Sequence, residues 1–119
     1  MSTSTSGSVT PQLPLSADAR AAYQALYDKA QTAIENTTDV DLLTSLNTTR
    51  ANIGAVISAD NQCQLGNDTT LFQDLLAKIN GTNKELNTLQ QSIARVEGGI
   101  AKFGEVLSAI NAVRSLVSL

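Results

Sequence analysis

The chain has 119 residues, with 11 acidic and 8 basic side chains, no histidine and one cysteine. Without histidine it cannot form a Ser-His-Asp or Cys-His catalytic unit or a histidine-ligated zinc site, and one cysteine cannot close an intramolecular disulfide. The net charge of −3 and the scattered lysines and arginines argue against nucleic-acid binding, which requires a basic patch.

The composition favours a single non-enzymatic domain. Serine, threonine, asparagine and glutamine account for 41 residues, beside 15 alanines and 15 leucines. The length is that of one typical domain. We expect no catalytic residue, no cofactor and no metal. No apolar stretch is long enough to span a membrane, which takes about 20 residues.

The first fifteen residues have the composition of a low-complexity tail, rich in serine and threonine, with prolines at positions 11 and 14. They offer too little apolar surface to offset the entropy of ordering, so residues 1–15 are predicted to be flexible and residues 16–119 to form one helical domain. The stretch from Met1 to Ser16 has no basic start and no apolar block, unlike a classical secretory signal. This leaves three alternatives open: a cytoplasmic protein, a non-classically exported protein, or a protein whose leader has already been removed.

A first helix is predicted to begin after Ser16, because serine is a good N-cap and Asp18 lies in the first turn. Apolar residues then recur at the spacing of one helical face. The segment 36–39 ends this helix, and Asp39 can cap the next. Tyr23 and Tyr27 are expected at the edge of the core with their hydroxyls in water; an aromatic binding ledge is the alternative.

A second helix is predicted from about Val40 to Asn61, followed by a loop over 61–68. Gly66 can end one helix, and Asp68 or Thr69 can cap the next. Cys63 falls at the end of this helix or in the loop, and no nearby cation would lower its pKa, so we expect an inert thiol.

The last fifty residues carry a heptad pattern that predicts helix most strongly. Twelve of its fourteen positions are apolar, a period typical of a coiled-coil-like seam. The two sets of positions are Phe72, Ile79, Leu86, Ile93, Ile100, Leu107 and Arg114, and Leu75, Thr82, Leu89, Val96, Phe103, Ile110 and Val117.

The number of helices in this stretch depends on its glycines. A turn at Gly98–Gly99 gives segments that match the first two helices in length, and a glycine pair is costly inside a helix. A turn at Gly81 gives unequal segments, and a continuous helix agrees with the unbroken heptad register. We favour the turn at the glycine pair, which predicts an all-α antiparallel bundle of four helices rather than three. Ile93, Val96, Ile100 and Phe103 are expected to be buried.

The seam is either the core of a monomeric bundle or, in part, a surface for a protein partner or self-association, as amphipathic helices often are. The candidate interaction face comprises Phe72, Ile79, Leu86, Ile93, Ile100, Phe103, Leu107 and Ile110. The first functional hypothesis is therefore a helical interaction or structural protein that acts through its C-terminal helical region. The second is a binding module for an apolar small molecule or a lipid-like surface.

The composition and the heptad C-terminus resemble those of helical bacterial secreted and filament-forming proteins, such as flagellins and type III secretion filament subunits. The likeness covers composition and the last fifty residues, and it implies no functional residue. It implies a bacterial protein that is exported or exposed at the surface.

Overall fold

A computed structural model describes residues 14–66 and 68–117, and it is all-α, as predicted. The described residues form five helices and no strand. Four of the helices are long and one is a single turn, so the predicted count of four holds only when the single turn is set aside. The helices are α1 (Ala17–Asn36), α2 (Val40–Leu65), α3 (Thr69–Arg95), α4 (Gly99–Lys102) and α5 (Gly104–Leu116).

The three long helices that follow loops each begin at a side-chain cap. The hydroxyl of Ser16 accepts a hydrogen bond from the backbone N–H of Ala19, and the carboxylate of Asp39 accepts one from Leu42 at 2.8 Å. Asp68 caps α3 in the same way. Each cap satisfies a backbone donor that the first helical turn leaves without a partner. The predicted helix starts at Ser16 and Asp39 are confirmed.

The second helix is longer than predicted, because it continues past Asn61 to Leu65. Cys63, in the added turn, is 1% exposed, and Asp60, just before that turn, is 0% exposed and accepts a hydrogen bond from Gln64 Nε2 within it. Their burial holds the final turn in helical form although its composition is polar. The connection to α3 is accordingly only 66–68 rather than 61–68.

Helix α1 packs between α2 and α5, and α2 packs between α1 and α3. Neighbouring helices run in opposite directions: the start of α1 contacts the end of α2 through Arg20 and Asp60, and its end meets the start of α5. Helices α3 and α5 meet through Arg114, whose guanidinium donates to the side-chain oxygens of Gln90, at 2.9 Å, and Asn87.

The chain reverses at the glycine pair, as favoured from the sequence. Gly98 has a φ of +69°, in the left-handed region that glycine enters without strain. A side chain on Gly99 would collide with the carbonyl oxygen of Ile93, so the close approach of α3 and α4 also requires glycine there. Gly81, the alternative turn, lies inside α3 with open space around it.

The ordered structure begins before the predicted boundary at Ser16. Leu15 is 6% exposed and packs into the core, and its N–H donates to Asp60 at 2.6 Å. The prediction of a flexible tail was therefore wrong for Leu15. Pro14 is half-buried, and the rest of the predicted tail, residues 1–13, lies outside the described residues.

Candidate functional site

The structure places most of the predicted interaction face inside the bundle. Ile79, Leu86, Ile93 and Ile110 are completely buried, and Phe103 is 4% exposed. These side chains form the monomer's core, so partners can reach them only if the bundle opens. Partner binding by this face stays a prediction.

The other three residues of the face are accessible to different degrees. Phe72 and Leu107 are half-buried against the core, whereas Ile100 is 64% exposed. The prediction that Ile100 is buried was wrong, and Val96 is only partly buried. The reason is local: the left-handed residue Gly98 redirects the chain, so α4 does not continue the face that α3 buries.

Ile100 lies in an apolar surface patch at the reversal of the chain, which we call the turn patch. Its members come from the end of α3, the turn and α4, and no charged side chain is among them. The turn patch comprises Ala94, Val96, Gly98, Gly99, Ile100 and Ala101. The charged residues adjacent to it in sequence are Arg95, Glu97 and Lys102, all of them exposed.

A cleft of about 320 Å³ lies at the same end of the bundle, between the last turns of α1 and the α4–α5 junction; we call it the α1–α5 cleft. Its apolar members, Ala33, Phe103 and Val106, are each at most 4% exposed and belong to the core. Its polar members stand around them: Lys29, Thr32, Asn36, Lys102 and Glu105.

The charges at this cleft are two lysines and one carboxylate. Lys29 Nζ lies 3.3 Å from Glu105 Oε1, an exposed pair that contributes little to stability. Lys102 Nζ lies 5.5 Å from the centroid of the Phe103 ring, within range of a cation–π interaction, and forms no ion pair with a carboxylate in residues 14–66 and 68–117. The cleft is thus locally cationic in an acidic chain.

Outside this cleft, the groups to consider are the Cys63 thiol and the acidic side chains that could bind a metal. Burial, together with the carboxylates of Asp60, Asp74 and Asp68, raises the pKa of the Cys63 thiol, which keeps it protonated and unreactive. No group of three or more histidine, cysteine, aspartate or glutamate side chains suited to a metal occurs in the described part of the chain.

Tyr23 lies in a different environment from the one predicted. Tyr23 is completely buried, and its hydroxyl has no hydrogen-bond partner among the described residues. The prediction that this hydroxyl reaches water was wrong, because α1 lies between two neighbouring helices and not at the edge of the bundle. Tyr27 is half-buried and contributes to a shallow depression between α1 and α2 that also includes Gly54.

No protein family, curated protein or solved structure matches this chain. Within the described residues, no helix has both the length and the apolar character needed to cross a bilayer.

Proposed function

We propose that this chain is a non-enzymatic helical interaction protein that acts through its C-terminal helical region. The observation that carries the proposal is the turn patch, in which Ile100 is 64% exposed among other apolar residues. A single exposed aliphatic side chain is ordinary on a protein surface. A contiguous apolar patch with charged neighbours has the arrangement of a small interface, an apolar centre with a polar rim.

The buried seam supports the same assignment indirectly. With Ile79, Leu86 and Ile93 completely buried, the C-terminal region retains one large side chain of the face that is well exposed, which is Ile100. Ile100, within the turn patch, is therefore the residue of the predicted interaction face that a partner reaches most readily without unfolding the bundle.

A bacterial, exported setting is proposed on composition alone, since it is the composition that resembles flagellins and secretion filament subunits. Fractionation of cells that express the protein tests it. Recovery only from the cytoplasm would remove this part of the proposal and leave the turn patch unaffected.

Site-specific photo-crosslinking tests the interaction. A photoreactive amino acid replaces Ile100 in the expressed chain, and a matched variant carries it at Ala77, an exposed position in the middle of α3. We expect an adduct of one defined mass from position 100 and none from position 77. Equal yields from both positions, or no adduct from either, would refute the proposal.

The α1–α5 cleft supports a second candidate function, the binding of an apolar small molecule. Its volume is at the lower end of the range of small-molecule sites, and its apolar members stand among a few polar groups, the usual arrangement in such sites. The two lysines favour a ligand that carries an acidic group. Decanoate, a short apolar chain with a carboxylate, is therefore a suitable probe.

The test of this candidate is an NMR titration with decanoate. We expect amide shifts at Phe103 and Val106 that saturate, and their loss in Asn36→Trp, which fills the rim of the cleft. Gln31→Trp is the control, since it adds the same side chain to an exposed position of α1 outside the cleft. Shifts that persist in Asn36→Trp would place the probe elsewhere and refute this function.

A further inference from the structure

The heptad register of the sequence and the course of the chain disagree at the glycine turn. Ile93, Val96, Ile100 and Phe103 occupy consecutive seam positions, which lie on one face of any continuous helix. In the structure the turn interrupts that face, and Ile100 is 64% exposed. The seam residues before and after the turn can all be buried on one continuous helix face only when the turn is straightened.

Helix α5 packs most closely on α1. The Lys29–Glu105 ion pair spans that interface, whereas the hydrogen bonds between the described residues of α5 and α3 are the two from Arg114 to Gln90 and Asn87. The buried face of α5, which includes Val106, Ile110 and Val113, is therefore held by an interface that a second chain can reproduce.

The connection between α3 and α5 has the properties of a hinge. The reversal rests on the positive φ of Gly98, and it is closed by backbone hydrogen bonds from Val96 N to Ile93 O at 3.2 Å and from Gly99 N to Val96 O at 2.8 Å. A hinge needs a few residues that can absorb a large change of φ and ψ, and two adjacent glycines supply it.

We propose that two copies of this chain exchange α5, so that each α5 docks on the α1 of the other copy. This inference rests on the proposed function and names its partner as a second copy of the chain. With the hinge straightened, residues 69–116 form one helix of about 72 Å, and every contact of α5 is re-formed between the chains.

The exchange also covers the turn patch. Each straightened helix leaves its own bundle at the hinge, and the two helices cross antiparallel there. Val96 and Ile100 then lie between the two chains, where the monomer leaves Ile100 in water. Ile100, which is exposed in the monomer, is thus buried in the seam of the exchanged dimer.

A cysteine pair across α1 and α5 distinguishes exchange from other dimers. Ala25→Cys and Ala112→Cys alter two exposed residues that line one groove between these helices and leave the hinge untouched. The variant is concentrated, warmed below its melting point, cooled and oxidised. Its mass is then measured in solution and again under denaturing, non-reducing conditions, with each single-cysteine variant as a control.

Exchange predicts a dimer in solution that stays covalently dimeric under denaturing conditions, because the disulfides join different chains. Side-by-side dimers would instead separate into monomers with internal disulfides, which would overturn the exchange and leave the proposed function standing. A chain that stays monomeric at every concentration would overturn the exchange as well. Cys63 does not confuse the result, since it is 1% exposed.

The hinge itself provides a second test. Gly98→Ala together with Gly99→Ala penalises the turn twice, through the positive φ of Gly98 and the collision of a new side chain with Ile93. A left-handed alanine alone costs about a factor of ten per chain, and the exchanged dimer relieves it in two chains, so the association constant should rise about a hundredfold, measured by light scattering against the unaltered chain. A folded variant that remains monomeric would refute the proposal. If the variant does not fold, the cysteine pair, which leaves the hinge unaltered, decides.

The proposed interaction function and the proposed exchange of α5 can be refuted independently. Crosslinks from position 100 to a different protein, with no exchanged dimer, would support an interaction protein and exclude the second copy as its partner. Crosslinks that join two copies of the chain would support both.

Discussion

Arg20 of α1 and Asp60 of α2 form an ion pair in which the carboxylate is completely buried and the guanidinium is 31% exposed. Asp60 also accepts hydrogen bonds from Gln64 Nε2 and from the backbone N–H of Leu15, both at 2.6 Å. Arg20 donates in addition to Asn61 at 2.7 Å. A buried carboxylate with this many donors fixes the start of α1 onto the end of α2.

Arg20→Met removes the cation and leaves the carboxylate of Asp60 buried without its charge partner. Breaking a buried pair in this way costs about 3 kcal/mol or more of the free energy of unfolding. Chemical denaturation of the variant measures the loss.

Lys78→Met is the matched control, because Lys78 pairs with Asp74 at 2.7 Å on the surface of α3. Loss of an exposed pair of this kind costs at most about 0.5 kcal/mol. Equal losses in the two variants would show that burial does not strengthen the pair of Arg20 and Asp60.

Truncation of two neighbouring seam residues is expected to change the free energy of unfolding by very different amounts. Phe103 is 4% exposed, and Phe103→Ala is expected to cost about 3–5 kcal/mol because it leaves a cavity in the core. Ile100 is 64% exposed, and Ile100→Ala is expected to change stability by at most about 0.5 kcal/mol. Urea denaturation of both variants at low protein concentration, where the monomer dominates, provides the comparison. A large loss in Ile100→Ala would restore the sequence prediction that this residue is buried.

Alanine substitutions at two glycines outside the left-handed region, Gly81 and Gly99, are expected to have opposite effects on stability. Gly81→Ala adds a methyl group in open space within α3 and is expected to stabilise the chain by about 1 kcal/mol through helix propensity. Gly99→Ala places its methyl group against the carbonyl of Ile93 and within 3.1 Å of Val96 Cβ. Such overpacking costs about 1–3 kcal/mol. Thermal melts that rise for both variants would contradict the close approach at Gly99.

Stability is expected to fall in alkaline solution because of Tyr23 and Cys63. Burial raises the pKa of both groups above their ordinary values of 10.0 and 9.0. The folded chain therefore keeps protons that the unfolded chain loses, so this contribution is complete below pH 9 and declines as the pH rises above the ordinary values. Urea denaturation between pH 7 and 10.5 measures the decline.

Tyr23→Phe combined with Cys63→Ala removes both groups, and the decline should flatten in this variant. Tyr23→Phe alone should leave stability at pH 7 unchanged or slightly higher, because the buried hydroxyl has no partner among the described residues. A decline of the same slope in the double variant would assign it to other groups.

The local features of the fold were largely predictable from the sequence. Ser16 and Asp39 mark their helix starts because a cap joins residues only three positions apart in the sequence. The glycine pair could be favoured as the turn because a turn there gives segments of roughly the length of the first two helices, although α5 itself has only 13 residues. The seam placed Ile79, Leu86 and Ile93 in one continuous face, and all three are buried.

The long-range features were not predictable in this way. Asp60 resembles any acidic residue near a helix end, and its partner Arg20 lies 40 residues away in sequence. The exposure of Ile100 depends on the direction in which α4 leaves the turn, which a heptad pattern does not contain. The α1–α5 cleft likewise combines residues from three helices, and no single segment carries its signature.

The ion pair of Arg20 and Asp60 also determines where a label or a surface can be attached to the molecule. It fixes the N-terminal end of α1, and the α1–α5 cleft lies near the opposite end of that helix, about 20 Å away. A dye, bead or surface attached at residue 14 therefore lies at the end of the bundle opposite the glycine reversal. Single-molecule force applied between such an attachment and residue 116 would separate α1 from α5 progressively, beginning at the end of the bundle where α1 starts and α5 ends.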